Sequence, residues 1–214
     1  MLDRDKMNCM TLIAGKNASA TGRVLVAHNE DDGGFVVVRH GWVPPQDWAA
    51  GSVMPAEEGC AEILQVSHTL GYYWTEYRKD TCGLTTADGF VNERGVVIVS
   101  NSMGTSRESM ENADCVKDGG IGYNLRRALA ERAGSAREGA RILMELIDEW
   151  GYAPSGRAYT IADKDEAFMF QLVRGRHYMG ARVPDDALAV MPNHYNLHSQ
   201  IGRASCRERV LLAV

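Results

Sequence analysis

Cys9-Met10-Thr11-Leu12-Ile13-Ala14-Gly15 and, after a link through Asn17-Ala18-Ser19-Ala20-Thr21-Gly22, Arg23-Val24-Leu25-Val26-Ala27-His28 decide how this chain begins to fold. The first run is short and mostly apolar and stops at a glycine, as strands do. The second has the same character, so the two read as a hairpin whose link is longer than a tight turn. The acidic group Asn29-Glu30-Asp31-Asp32 and the pair Gly33-Gly34 follow. Residues 35–40, Phe-Val-Val-Val-Arg-His, then give a third strand rich in β-branched side chains.

Beyond this block, Pro44, Pro45 and Pro55 mark residues 42–59 as a loop. Weak alternation suggests a strand at 61–68, and further strands are expected at 84–91 and 95–100, joined by the turn Asn92-Glu93-Arg94. Residues 103–120 are polar and read as a loop closed by Gly119-Gly120. Helical spacing of Ile121, Leu125, Ala128 and Leu129 predicts a helix over 121–133. Ser135-Ala136-Arg137-Glu138 has the form of a capping box opening a second helix that runs to about Trp150. Ala140, Leu143, Met144 and Ile147 form its apolar stripe; Gly151 and then Pro154 end it. Strands return at 157–162, 167–173, 177–182 and 187–191. Strands, a helical pair and strands again predict an α+β fold of sheets covered by helices rather than a doubly wound parallel sheet.

With 214 residues, 45% hydrophobic and 24% charged, the chain has an ordinary globular composition. Its net charge of −5 gives no footprint for nucleic acid or an acidic membrane. No apolar run approaches the ~20 residues that span a bilayer. Met1-Leu2-Asp3-Arg4-Asp5-Lys6-Met7-Asn8 is charged and is not a secretory signal, so a cytoplasmic location is expected. The expected partner is a small peptide substrate, with neither nucleic acid nor membrane, and a homo-oligomer is left open.

The five cysteines, Cys9, Cys60, Cys82, Cys115 and Cys206, form no Cys-x-x-Cys pair and no zinc spacing with the histidines. Neither a metal nor a cofactor is called for. Four of them read as buried small residues or free thiols. Taken alone, Cys9 on its strand also reads as a core cysteine; its sequence surroundings reverse that reading. A cysteine at a chain's first position carries two catalytic groups, a thiol to attack a carbonyl and an α-amino group to take the thiol proton. An α-amino group titrates near ~8 and a thiol near ~8.5, so the two are nearly matched. A nearby cation would lower the thiol further.

The block from Cys9 to Ser19, Gly22 and Val26-Ala27-His28-Asn29-Glu30-Asp31 resembles the N-terminal-nucleophile (Ntn) hydrolases of the cysteine dipeptidase family. Secernins and the penicillin and bile-acid amide acylases are more distant relatives. Ala87 to Val96, Tyr159-Thr160-Ile161-Ala162-Asp163 with Glu166-Ala167, and Met191-Pro192-Asn193-His194-Tyr195 extend the resemblance to residue 195. It implies a four-layer αββα fold and hydrolysis of short peptides through a thioester, without a metal. Carried over by position, it makes Cys9 the nucleophile and sets Asp31 beside the new α-amino group. Asn101 becomes a donor to the oxyanion, and Asn193 holds the α-amino group or the oxyanion. Where the acylases carry an arginine three residues before the aspartate, this chain has His28. An acylase of non-peptide amides, and a non-catalytic fragment or small-ligand-binding domain on the same fold, are the alternatives.

The expected organisation is a leader at 1–8, removed between Asn8 and Cys9, the N-terminal part of an Ntn-hydrolase domain at 9–200, and a tail at 201–214. Ile201 to Val210 resembles the conceptual translation of a sequencing adaptor, so the tail is read as non-native and the domain as C-terminally truncated. Three further groups have bland readings. Asn29 to Gly34 suits a solvated turn or a loose cation site that lacks calcium-loop spacing, His28, His68 and His194 read as structural or surface histidines, and Trp42, Trp48, Tyr72, Tyr73 and Trp74 serve either a cleft or the core.

Overall fold

Large and small side chains alternate along the central strands, and that alternation sets the layers. The computed structural model describes residues 9–31, 36–55, 57–79, 85–105 and 107–197. The leader, Cys82, Cys206 and the 201–214 tail lie outside the described residues. In chain order the strands are β1 (Met10–Ala14), β2 (Leu25–Asn29), β3 (Val36–Val43), β4 (Gln46–Asp47), β5 (His68–Thr69), β6 (Tyr72–Lys79), β7 (Thr85–Asn92) and β8 (Val97–Ser102). Helices α1 (Arg107–Glu111), α2 (Asn124–Arg132) and α3 (Ala136–Trp150) come next, then β9 (Tyr152–Ala162), β10 (Ala167–Gly175), β11 (Tyr178–Arg182) and β12 (Leu188–Met191). The α+β expectation holds.

Seven strands form one antiparallel sheet in the order β11-β10-β9-β8-β7-β6-β3. A three-stranded sheet, β12-β1-β2, contains the expected hairpin and brings the first and last described strands together. In it Thr11 lies between His28 on β2 and Met191 on β12. A short β4–β5 ladder completes the set.

On one face of the large sheet, Tyr159 and Ile161 of β9 and Phe168, Phe170 and Leu172 of β10 pack against Leu125, Leu129, Leu143 and Ile147 of the helices. On the other face Ala158, Ala162, Ala167 and Met169 meet Ile13 and Met191 of the small sheet. Gly139 lets α3 approach β9 closely, because a Cβ there would lie 2.9 Å from Ile161. The small sheet turns Met10, Leu12, Leu25, Leu188 and Val190 outward, all of them exposed. No helix among the described residues is long and apolar enough to cross a membrane.

Several boundaries differ from the sequence reading. β3 continues to Val43, into the expected proline loop, because it is paired along its length with β6, a strand the sequence reading left unassigned. The weak alternation at 61–68 yields only an isolated bridge between Val53 and Leu64 and the start of β5. The expected 103–120 loop contains α1 and a 3₁₀ turn at 113–115 capped by Asn112. The helix expected from 121 begins at Asn124, since Ile121 instead bridges Tyr152. β9 begins five residues early and includes Pro154, which sits where the ladder with β10 shifts register and a missing N–H is tolerated.

Ser135 caps α3 as expected, its hydroxyl accepting from the Glu138 N–H at 3.2 Å. The Glu138 carboxylate, however, accepts from Gly134 N–H at 2.9 Å, one residue before the reciprocal position. Asp163, in the β9–β10 turn, accepts from Ala136 N–H at 2.8 Å. Asn92 behaves as turn chemistry and more. Its carbonyl oxygen accepts from Arg94 and Val96 N–H, while its amide donates to the Ala130 and Ala133 carbonyls at the end of α2.

Candidate active site

Cys9 immediately precedes β1, on the same parity as the buried Thr11 and Ile13, while Met10 and Leu12 face outward. Period two therefore points its thiol between the sheets; it is 2% exposed. The sulfur is bracketed by the backbone of Asp31. It accepts from the Asp31 N–H at 3.5 Å and lies 3.7 Å from the Asp31 carbonyl. The side chains of Asn193 and Glu30 also reach it. Burial pushes the Cys9 thiol above its ordinary value, and the Glu30 carboxylate adds to the shift; the Asp31 N–H and Asn193 oppose it. The charge beside the sulfur is thus negative, where a cation would have activated it.

A polar chain lies behind the thiol. Asn101, the fifth residue of β8 and fully buried, donates from Nδ2 to the Met191 carbonyl at 3.1 Å. Its Oδ1 accepts from the Thr11 hydroxyl at 2.7 Å. Thr11 Oγ1 is also 2.9 Å from His28 Nδ1, and His28 Nε2 is 3.5 Å from a Glu30 carboxylate oxygen. Asn193, just past β12, donates to the Ser102 carbonyl at 2.9 Å, tying the end of the small sheet to the end of β8. On the helix side of the same strand ends, Arg157 is buried, donates to Ser100 Oγ at 3.1 Å and lies 4.8 Å from the Tyr123 ring. Burial alone would lower the basicity of Arg157. The phenols of Tyr152, Tyr159 and Tyr123 and the Glu30 carboxylate outweigh it, so the guanidinium is held above its ordinary value.

The four residues singled out from sequence are therefore arranged unequally. Cys9 and Asn193 meet, Asn101 stands one layer deeper behind Thr11, and Asp31 touches the thiol through its backbone. Thr11, Glu30 and Arg157 were missed. Parity offered a signal for the first two, since Thr11 is the polar residue between inward Cys9 and Ile13, and Glu30 continues the inward series Val26, His28. His68 pairs with Asp47 at the surface and His194 is exposed, as their bland reading had it. Tyr72 is buried edge-on against Phe90 at 5.5 Å, Trp48 donates to Thr69, Trp74 packs half-buried against the core, and Trp42 and Tyr73 are exposed. Among the described residues no cluster of histidine, cysteine or carboxylate side chains has a metal-holding arrangement.

The model of peptidase family C69 matches residues 8–205. The chain belongs to peptidase family C69. A probable dipeptidase B of Lactococcus lactis subsp. lactis is 28% identical over 205 residues, covering 91% of this chain and 41% of that one. Dipeptidase A of Lactobacillus helveticus is 27% identical over 197 residues, covering 88% and 41%. A dipeptidase of Bifidobacterium longum is 28% identical over 211 residues, covering 89% and 38%. The chain thus spans about two fifths of the length of the curated C69 relatives it matches. Among solved structures, penicillin V acylase of Agrobacterium tumefaciens aligns with a TM-score of 0.43 and 10% identity over 86% of this chain and 49% of that one.

Proposed function

We propose that this C69 chain is the N-terminal part of a cysteine dipeptidase that uses Cys9 as an N-terminal nucleophile once residues 1–8 are removed. The observation that carries the reading is Cys9 itself, a thiol at the start of β1, facing into the seam between two sheets with Asn193 and the Asp31 N–H beside it. A raised thiol pKa leaves the sulfur protonated near neutrality, so attack needs a base. The freed α-amino group of Cys9 takes the thiol proton as sulfur bonds to the scissile carbonyl carbon. The carbonyl oxygen becomes an oxyanion, for which the Asn193 and Asn101 amides are the proposed donors. Collapse breaks the C–N bond, the leaving amine takes the proton from the α-amino group, and a thioester remains. Water then attacks the thioester, giving its proton back through the same nitrogen.

In the same reading the domain is completed by chain beyond residue 200. What supports this is the outward face of the small sheet: Met10, Leu12, Leu25, Leu188 and Val190 form an exposed apolar surface of the kind another layer covers. A helical layer there would complete the αββα sandwich. A cytoplasmic location and a short-peptide substrate belong to the same proposal.

Mass spectrometry of purified protein should find a mature N-terminus at Cys9, and the protein should release free amino acids from dipeptides. An active sample that retains residues 1–8 would overturn the mechanism. Cleavage of acyl amides without any cleavage of dipeptides would overturn the substrate class.

A further inference from the structure

Gln171 stands on the face of β10 turned toward the small sheet, opposite Ala158 of β9, and is 3% exposed. A buried amide in such a place is costly unless its donors and acceptors are met. Gln171 meets them on one stretch of chain. Its Oε1 accepts from the Asn196 N–H at 3.2 Å and from the Leu197 N–H at 2.9 Å. Its Nε2 donates to Asn196 Oδ1 at 2.6 Å and lies 3.5 Å from Met191 Sδ. Backbone N–H groups only donate, so the amide cannot turn over without losing both of them. Asn196 is fixed in the same sense, because its Nδ2 donates to the Val190 carbonyl at 2.8 Å.

Asn193 lies inside the stretch so held, between Met191 and Asn196. Residues 192–197 form neither strand nor helix, so no ladder fixes them. A second anchor comes from the next residue of β10. The Tyr195 hydroxyl lies 3.0 Å from the Leu172 carbonyl and 2.6 Å from the Gly104 carbonyl. It reaches them because Gly156 has no side chain; a Cβ there would collide with the hydroxyl. Between these anchors Asn193 donates from Nδ2 to the Ser102 carbonyl at 2.9 Å. That leaves Nδ2 a second hydrogen.

We propose that Gln171 is a positioning residue. Acting through Asn196, it holds the segment after β12 so that the Asn193 amide keeps its place on Ser102 and its second hydrogen is offered to substrate oxygen. The inference rests on the reading of Asn193 as an oxyanion donor. Gln171 itself touches no reacting atom. Leucine at this position is close to glutamine in size and lacks all of its polar contacts.

Hydrogen exchange followed by NMR tests the clamp without turnover. The Asn196 and Leu197 N–H and the Asn193 side-chain amide, identified with Asn193→Ala, should exchange slowly in the unaltered protein. Gln171→Leu should speed all three by about tenfold or more, the order for losing one hydrogen bond, while the Ile161 N–H in β9 keeps its protection. An unchanged Asn193 amide in folded Gln171→Leu overturns the proposal.

A double-mutant cycle in dipeptide assays separates positioning from general loosening. Gln171→Leu should lower kcat about tenfold with little change in KM, less than the roughly hundredfold expected for loss of the donor itself. In an Asn193→Ala background the same replacement should leave kcat unchanged, although its effect on the melting temperature persists. An equal fall in kcat in both backgrounds, or a full rate in folded Gln171→Leu, overturns the positioning role. If Gln171→Leu does not fold, Asn196→Ala, at a half-buried residue, carries the same exchange measurement and the same cycle. If the unaltered protein cleaves no dipeptide, the dipeptidase reading fails, and exchange of the Asn193 amide still decides whether Gln171 holds it in place.

Discussion

The two faces of the seven-stranded sheet are built for different purposes. Toward the helices it carries Phe168, Phe170, Leu172, Tyr159 and Ile161, all fully buried. Toward the small sheet it carries alanines, Met169, Asn101 and Gln171. Phe170 even lies across its cross-strand partner Gly180, where a Cβ would be 2.5 Å from the ring. The first face contributes stability through apolar area. The second gives up some of that area to buried hydrogen bonds, which hold a unique arrangement only while all of them are made. The proposed site lies on the second face, where a change of one polar atom is expected to alter chemistry more than stability.

That contrast can be broken by experiment. Cys9→Ala should abolish dipeptide turnover, by about ten-thousandfold or more, and leave the melting temperature nearly unchanged. A variant that keeps its activity ends the nucleophile reading. Phe170→Ala, on the helix face, should cost about 3–5 kcal/mol in chemical denaturation, with kcat of the folded fraction preserved. Asn92→Ala leaves two carbonyls and two N–H groups without their side-chain partner. It should cost about 2–3 kcal/mol, again without a change in pH profile.

Glu30→Gln works on the other face. The Cys9 pKa is raised first by burial and then by Glu30, so removing the carboxylate should lower it, increase the thiolate fraction at neutral pH and speed alkylation. It should stay above the ordinary thiol value, because burial remains. A slower reaction would contradict the assigned sign. The smallest effect is expected outside both faces. Leu188→Gln, at a side chain 77% exposed, should change the stability of this chain by less than about 0.5 kcal/mol. A larger loss would mean that the outer face of the small sheet is already covered.

Much of the frame was legible because it is local. The hairpin of β1 and β2, the helix from Ser135 to Gly151 and the turn at Asn92 each follow from residues a few positions apart. β6 was missed because Tyr72-Tyr73-Trp74 read equally well as cleft or core aromatics until β3 and β7 paired with it on both sides. The capping box was read correctly in its first half, yet Glu138 took Gly134 because the chain enters α3 with that N–H turned toward it.

By itself the sequence determined the α+β class and the family, and singled out Cys9 as the proposed nucleophile, since these depend on contiguous motifs and on the parity of a single strand. Only the tertiary structure decided what surrounds the sulfur. Thr11 meets Asn101 across 90 positions of sequence, and Glu30, which reads as part of a solvated turn, is brought against the thiol. Alternation says which side chains point inward. It does not say which inward side chains meet, because that depends on how two separate sheets are stacked.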